Sequence, residues 1–223
     1  MLISRKKGPR QPLSLSLGGD ALEQVEVFKY LGVLISSSLN WSPHVNAVCT
    51  KARKLLGLLY RRFYGLMDPS CLIELYKTLI RPHLEYAAPV WSPHLARDIA
   101  NLEKIQKFAL RICLNSWDTD YCNLLEHTGL PTLESRRKYL KVVTLHKIYH
   151  GQFYFPPGFL TPHRGRSNYS SPFSINHPFA KTNAYYFSFF PSTIGIWNKL
   201  PSWCHSSDSS SSVFRNYLTS LFT

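Results

Sequence analysis

Acidic side chains are scarce in this sequence. Its 223 residues include 13 aspartates and glutamates against 26 lysines and arginines, which gives a formal net charge of +13 at neutral pH. A globular chain with this balance is suited to polyanionic partners, with nucleic acid the first candidate and an acidic membrane surface the second. Hydrophobic residues make up 44% and aromatic residues 14% of the chain, which supplies a packed core and argues against wholesale disorder.

Long apolar runs are absent as well. No stretch of about 18 consecutive apolar residues occurs, so the sequence predicts no membrane-spanning helix. The opening stretch, MLISRKKGPR, becomes charged too early to hold the apolar centre of a secretory signal. We therefore expect an intracellular protein, with nucleus and cytoplasm both left open.

The cysteines follow no disulfide or metal-binding pattern. Their number is odd, their spacing is scattered, and none belongs to a Cys-x-x-Cys motif. Neither the loose group Cys113, Cys122 and His127 nor the pair Cys204-His205 has the spacing of a zinc site. We predict buried free thiols, with no metal and no cofactor. The cysteines are Cys49, Cys71, Cys113, Cys122 and Cys204.

The N-terminal segment carries the pattern of β-strands. Residues 13–17 alternate between leucine and serine, residues 18–20 form a turn signal, and residues 25–36 are rich in β-branched and aromatic side chains. Together these stretches predict one small β-hairpin. It needs a packing partner, because a lone hairpin is only marginally stable in water.

The tetrapeptide Trp-Ser-Pro-His occurs twice in the chain. Serine before proline is typical of a helix start, because the hydroxyl can cap a free backbone N–H and proline has no N–H to lose. We therefore predict helices that begin at Ser42-Pro43 and Ser92-Pro93, and by the same logic at Asp68-Pro69. A metal held between His44 and His94 is a weak alternative, since no further ligands stand at a recognisable spacing.

Apolar periodicity supports three helices in the region of residues 37–115. One follows Pro43, a shorter one ends near Pro82, and one follows Pro93. The residues counted on their apolar faces include Val45, Ala52, Leu56, Leu79 and Leu95. The first and third helices carry basic stripes, which are either solvated surfaces or polyanion-binding faces. The stripe residues are Lys51, Lys54 and Arg61 on the first helix and Arg97, Lys104, Lys107 and Arg111 on the third.

The C-terminal half of the sequence changes in composition and predicted structure along its length. A short helix is predicted at residues 118–129 and a longer one from Pro131 to Gly151, with Leu140 and Val143 among its inward residues. Residues 152–201 are either an irregular extension held by its aromatic side chains or a partly disordered tail. A serine linker at residues 206–212 precedes a final amphipathic helix. The longer helix has the densest positive charge in the chain, at Arg136, Arg137, Lys138, Lys141 and Lys147.

These patterns predict a mainly α fold with a small N-terminal β-hairpin, in the α+β class. The expected divisions are the hairpin at residues 1–36, a three-helix unit at 37–115 and a helical extension at 116–151. A region rich in aromatic residues, proline and serine, with a terminal helix, covers residues 152–223.

Five segments in one order carry a family resemblance. FKYLGVLISSSLNW, YKTLIRPHLEYAAPVW, LEKIQKFALRIC, IGIWNKLP and a closing FRNYL helix follow one another as they do in LINE-type retrotransposons. Over residues 1–222 the chain resembles the C-terminal part of a jockey-like, non-long-terminal-repeat retrotransposon reverse transcriptase. No single motif is decisive, but the shared order is fairly specific.

The resemblance implies a role for each segment. Residues 1–4 resemble the last strand of the palm, and residues 28–32 resemble the hairpin that supports the primer end. The three helices resemble the thumb, which holds the primer–template duplex. Residues 197–201 resemble a late signature to which the resemblance assigns no role.

One departure from the family limits what is expected. Polymerases of this family hold two metal ions with palm carboxylates, and this chain contains no Asp-Asp pair. We therefore expect an N-terminally truncated fragment that is not an enzyme by itself and keeps the capacity to bind RNA, DNA or an RNA–DNA hybrid. The alternative is a relic without function, or a protein-interaction module. The candidate contact residues are Lys29, Tyr30, Gly32, Lys51, Lys54, Arg61, Arg97, Lys104, Lys107 and Arg111.

Overall fold

The computed structural model describes residues 15–153, 155–156, 160–162, 173–205 and 211–222. The palm-like strand predicted at residues 1–4 and most of the predicted serine linker lie outside these ranges. The predicted fold class is confirmed, because the described residues are mainly helical and carry small antiparallel hairpins at the N-terminal end. None of the described helices combines the length and the apolar character needed to cross a membrane.

The N-terminal strands form two hairpins instead of the single one predicted. Strand β1 (Ser16–Leu17) pairs with β2 (Asp20–Ala21), and β3 (Val27–Tyr30) pairs with β4 (Val33–Ser36). The expectation that residues 25–36 pair with the first strand is wrong. A two-residue turn at Leu31-Gly32 reverses the chain inside this stretch, so it pairs with itself.

Helices make up the rest of the described structure. In chain order they are α1 (Ser42–Phe63), α2 (Pro69–Leu75), a π-helical turn (Tyr76–Ile80), α3 (Arg81–Glu85), α4 (Ala88–Trp91), α5 (Ala96–Leu114), α6 (Tyr121–Thr128), α7 (Leu133–Tyr149), α8 (Asn183–Tyr186), α9 (Phe189–Trp197), a 3₁₀ turn (Ser202–His205) and α10 (Ser211–Phe222).

Helices α1 and α5 pack side by side and run in the same direction. At their N-terminal ends the Ser42 hydroxyl donates to Asp98 at 2.7 Å. At their C-terminal ends the Tyr64 hydroxyl donates to the side chain of Asn115. The segment α2–α3 runs back between them and completes a bundle. Its core includes Val45, Ala52, Leu56, Tyr76, Leu84, Trp91, Leu102, Ile105 and Leu110.

The predicted helix starts have mixed outcomes. The start at Asp68-Pro69 is confirmed, and Pro43 lies in the first turn of α1 with Trp41 as the N-cap. The start at Ser92-Pro93 is wrong, because α4 ends there and α5 begins at Ala96. Ser92 has the extended backbone of an N-cap, with a ψ of 112°, but residues 93–95 do not form a helix and the N-cap of α5 is Leu95.

The helix expected to end near Pro82 continues to Glu85. Proline lacks the N–H that a regular α-helix needs at this position, and the chain adapts by widening one turn. The Arg81 N–H donates to the carbonyl of Tyr76, five residues back. This turn shifts the following face, and Leu79, predicted inward, is 55% exposed. Leu95, counted on the apolar face of α5, is exposed as well.

Helix α7 faces the interior with a side that its sequence does not suggest. Arg137, Lys141, Val142 and Leu145 are buried, whereas Leu140, Val143 and Ile148, predicted inward, are only half-buried. The helix contacts α4 and α5 on one side and α9 and α10 on the other. When neighbours surround a helix on several sides, residues outside the apolar stripe of an amphipathic pattern become buried as well.

A second core forms around the C-terminal elements and explains the late signature. Trp197 is fully buried, and its indole N–H donates to the carbonyl of Phe173 at 3.3 Å. The Asn198 amide accepts from the N–H of Ile175 at 3.0 Å and donates to its carbonyl at 2.8 Å. Contacts of aromatic side chains therefore hold the described residues of this region together. The members of the second core are Val142, Leu145, Ile175, Ile194, Trp197, Leu200, Cys204, Phe214 and Leu218.

The five cysteines are free, as predicted, but two of them are not buried. Cys49, Cys113 and Cys204 lie in the cores, whereas Cys71 and Cys122 are exposed. Burial raises the pKa of the Cys113 thiol to about 12, which keeps it protonated and unreactive at neutral pH.

The second core is predicted to lose stability in mild acid. The His146 ring stacks on Phe214 with centroids 4.2 Å apart, and burial, with help from His150 and His205, lowers its pKa to about 4. Because an unfolded chain binds this proton with the ordinary histidine pKa of about 6.5, the contribution of the neutral ring to stability is complete above that pH and is lost as the pH falls towards 4. Replacing His146→Phe should therefore make the melting temperature fall less steeply between about pH 7 and about pH 5.

The matched control is His127→Phe, since His127 is exposed. Thermal unfolding followed by circular dichroism gives the slopes for all three proteins. Equal slopes for wild type and His146→Phe would show that His146 does not make the fold acid-sensitive.

Candidate functional site

A groove lies where the β3–β4 hairpin meets α1 and the end of α3. It encloses about 450 Å³ and carries two lysines and two histidines, with no carboxylate among its lining residues. Its chemistry is therefore that of an anion site with apolar walls. The lining residues are Lys29, Gly32, Leu34, His44, Ala47, Val48, Lys51, His83 and Tyr86.

The hairpin turn gives the groove its outer wall. Leu31 and Gly32 have φ angles of 45° and 84°, and a two-residue turn with both values positive matches the right-handed twist of the strands. Glycine suits the second position on two grounds. It tolerates the left-handed backbone, and a Cβ there would lie 3.3 Å from the Tyr86 ring. Leucine at the first position is strained, because its Cβ crowds the backbone in this region.

Two side chains fasten the hairpin to the helices. The Tyr86 hydroxyl donates to the carbonyl of Leu31 at 2.9 Å. The N–H of Leu34 donates to His44 Nδ1 at 3.2 Å, so the proton of this neutral ring lies on Nε2. Burial lowers the pKa of His44, which keeps the ring neutral in this role.

The repeated tetrapeptide has a structural explanation in these contacts. His44 of the first copy packs edge-on against Trp91 of the second, with ring centroids 4.8 Å apart. His94 of the second copy instead stacks on Phe187 at 4.5 Å. The two histidines thus have different neighbours. Among the described residues, no group of three or more His, Cys, Asp or Glu side chains is placed to hold a metal.

The electrostatics of the groove favour a negative ligand. Burial, together with the nearby Lys51 charge, lowers the pKa of His83, so the imidazole is neutral when the groove is empty. A bound anion would reverse the effect of Lys51 and favour the protonated ring. Lys29 and Lys51 are exposed, which lets them exchange water for a ligand at little cost.

The predicted contact residues of the hairpin and α1 come together. Lys29, Gly32 and Lys51 line the groove, and Tyr30 is exposed beside them at the hairpin tip. Lys54 and Arg61 continue along the exposed side of α1. At a rise of about 1.5 Å per residue, the row from Lys51 to Arg61 spans about 15 Å.

The four predicted residues of α5 do not line the groove. Arg97 is held at the helix N-termini, where it donates to the Ser42 hydroxyl at 3.1 Å and lies 3.6 Å from Asp98. Lys107 is half-buried. The backbone N–H groups of Tyr121 and Cys122 lower the pKa of the Asp120 carboxyl, and the charge of Lys107 adds to this effect. Arg111 is half-buried and only Lys104 is a fully exposed cation outside an ion pair with a described residue.

Sequence reasoning missed three residues of the groove: His44, His83 and Tyr86. His83 and Tyr86 stand in RPHLEYAAP, a segment that was noted only for its family resemblance. The π-helical turn before Pro82 rotates this segment towards the hairpin. No local sequence pattern predicts that rotation. His44 was considered as a metal ligand and instead supports the hairpin.

Comparison with models of known protein families, with curated proteins and with solved structures found no match to this chain.

The strained turn yields a stability prediction. Leu31→Asn should stabilise the protein by about 1 kcal/mol, because asparagine tolerates the left-handed region and suits this turn type. Leu66→Asn is the control, since Leu66 is also exposed, at 80%, but has no positive φ. Chemical denaturation gives the free energy of unfolding. A gain no larger than that of the control would show that the turn is unstrained.

Proposed function

We propose that the hairpin groove and the adjoining exposed side of α1 bind the sugar–phosphate backbone of nucleic acid, with little sequence preference. The observation that carries the proposal is the lining of the groove, where Lys29 and Lys51 face the ligand space and no carboxylate opposes them. Lysine ammonium groups are suited to phosphates, and such contacts position a duplex without reading its bases.

The dimensions of this surface support the proposal. Phosphates along one strand of a duplex are spaced by about 3.4 Å of helix axis. The row of about 15 Å from Lys51 to Arg61 therefore matches about four successive phosphates. Phe28 and Tyr30 are 50% and 59% exposed, but side chains alternate between the faces of a strand, so their rings lie on the side of the hairpin opposite to Lys29 and outside the groove.

The family resemblance points to the same activity. In a reverse transcriptase of the LINE type, the segment resembling residues 28–32 supports the primer end and the thumb-like helices hold the duplex. We accordingly propose an RNA–DNA hybrid as the preferred ligand. Since the sequence contains no Asp-Asp pair, the proposed role is binding, not polymerisation.

The salt dependence of binding tests which surface is used. The triple variant Lys29→Ala, Lys51→Ala, Lys54→Ala should weaken binding to a labelled hybrid and reduce the slope of log K against log salt by about 2 to 3 for duplex DNA. Fluorescence anisotropy across a salt series measures both quantities. Circular dichroism checks that the fold survives the substitutions, which all lie at exposed positions.

The matched control is the triple variant Lys104→Ala, Lys107→Ala, Arg111→Ala, which removes the same charge from α5. We expect a smaller loss of affinity for this variant, because its residues lie outside the groove. An equal or larger loss would transfer the interface to α5. Absence of binding by the wild type at low salt would refute the proposal and favour a protein-interaction role. Primer extension above background would overturn the restriction to binding.

A further inference from the structure

Two adjoining cavities lie on another part of the molecule, between the loop after α4, helix α7 and the α8–α9 segment. They enclose about 290 Å³ and about 260 Å³. The two cavities share four lining residues and so adjoin each other, and we call them the two compartments of one cavity. The shared residues are Ser92, His94, Lys141 and Phe187.

The smaller compartment contains buried positive charge that is poorly compensated. Arg137 is 2% exposed and Lys141 is 8% exposed, and both line this compartment. Among the described residues, none accepts a hydrogen bond from Arg137 Nη1 or Nη2. Within the described part of the chain, Lys141 Nζ donates to a single acceptor, the neutral Ser192 hydroxyl, at 3.1 Å. Buried cations without hydrogen-bonded anionic partners are costly, and a bound anion would remove the cost.

The nearest carboxylate is already engaged elsewhere. Glu103 lies 3.9 Å from Arg137 Nη2, beyond hydrogen-bonding distance. Its two oxygens accept from the Tyr121 hydroxyl at 2.6 Å and from the backbone N–H groups of Leu133 and Glu134 at 3.2 and 2.8 Å. Glu103 therefore cannot satisfy the fork of Arg137, whose donors remain available to a planar or tetrahedral oxyanion.

The remaining charged groups around the compartment do not change its sign. Glu134 and Lys138 are about half exposed and pair with each other at 2.8 Å. His94 faces the space from the loop and Ser192 from α9. Burial, and secondarily Arg137 and Lys138, lowers the pKa of Lys141 to about 8, as expected for a lysine that lacks an anionic partner.

The larger compartment is aromatic and open to solvent. Trp41, Tyr185, Phe187 and Phe189 line it together with aliphatic residues, and Tyr185 is 45% exposed at its mouth. The Phe187 ring already stacks on His94 with an interplanar angle of 2°. A planar ring bound in the larger compartment contacts these aromatic side chains. A group on that ring that extends into the smaller compartment contacts Arg137 and Lys141.

We propose that this two-compartment cavity binds a nucleoside phosphate, with the base in the aromatic compartment and the phosphate on Arg137 and Lys141. The site is separate from the hairpin groove and does not rest on the function proposed for it. The ligand chemistry, a phosphate joined to a planar ring, has two sources: a free nucleotide or the 5′-phosphate end of a strand.

Isothermal titration of the full chain with adenosine monophosphate, adenosine and inorganic phosphate tests the proposal. The monophosphate should bind at least about tenfold more tightly than either part alone. Lys141→Met should reduce its affinity by about tenfold or more, because the charge-assisted bond is lost. Lys147→Met is the control, since this lysine of the same helix lines neither compartment.

Two further measurements do not depend on the Lys141 variant. Arg137→Lys keeps the charge but loses the fork, and should also weaken binding of the monophosphate. For the wild type, affinity should fall as the pH rises through about 8, where Lys141 loses its proton. Binding absent at about 10 mM monophosphate, or unchanged in both variants, would overturn the site. Inorganic phosphate binding as tightly as the monophosphate would overturn the nucleotide assignment.

Competition distinguishes the two sources. A short single-stranded oligonucleotide with a 5′-phosphate that displaces the monophosphate, where its unphosphorylated form does not, supports a strand end as the ligand. Failure of both oligonucleotides to compete supports a free nucleotide. Loss of hybrid binding in the hairpin triple variant with retained monophosphate binding would show that the two sites are independent.

Discussion

The carboxylate of Glu103 holds the two halves of this molecule in register. Glu103 projects from α5. Its carboxylate accepts hydrogen bonds from the hydroxyl of Tyr121, the first residue of α6, and from the backbone N–H groups of Leu133 and Glu134 at the start of α7. These N–H groups have no partner inside their own helix, so an acceptor at this position determines where α7 begins. Burial and the nearby Glu103 charge raise the pKa of Tyr121, which keeps its hydroxyl a donor.

The position of α7 in turn decides what lies beyond it. Leu133 at its start packs into the first core, and Val142 and Leu145 further along pack into the second. A pairing between Arg136 and Glu85 fastens the same helix to α3. Both cores and the two-compartment cavity therefore depend on one helix, whose N-terminus is held by Glu103 of α5 and by its N-cap Thr132, which accepts from the Ser135 N–H.

The sequence predicted those elements whose neighbours lie on one side. Helix α1 has a single apolar face, and the predicted inward residues Val45, Ala52 and Leu56 are fully buried. Helix α7 is enclosed on several sides, so its burial depends on elements far away in the chain, and the predicted face was only partly correct, since Leu140 and Val143 are half-buried. The second Ser-Pro start failed for a local reason, because Trp91 anchors α4 in the core and Pro93 then ends that helix.

The groove was predicted in part. Lys29, Gly32 and Lys51 were named as contact residues, and the structure places all three on one groove although they lie on different elements. Their meeting depends on His44 and Tyr86, whose contacts span 10 and 55 residues of sequence. The α5 residues looked equivalent to them in sequence. Two of them differ because Ser42 and Asp98 lie near Arg97 and Asp120 lies near Lys107. A charge pattern along one helix cannot reveal partners on other elements.

The hydrogen bond between Leu34 and His44 has a consequence for the opposite side of the hairpin. Leu34 is paired with Lys29 in register, and its N–H is directed away from Lys29, towards α1. In a pair of opposite residues that are not hydrogen-bonded to each other, the backbone groups of each residue point away from the partner strand. The N–H and carbonyl of Lys29 therefore point to the outer side of β3. Among the described strands, β3 pairs only with β4. The histidine thus satisfies a backbone donor on one edge of this two-stranded sheet, whereas the backbone groups of Lys29 on the other edge have no strand partner among the described residues. A charged side chain at an open strand edge disfavours the addition of a further strand, and Lys29 occupies such a position.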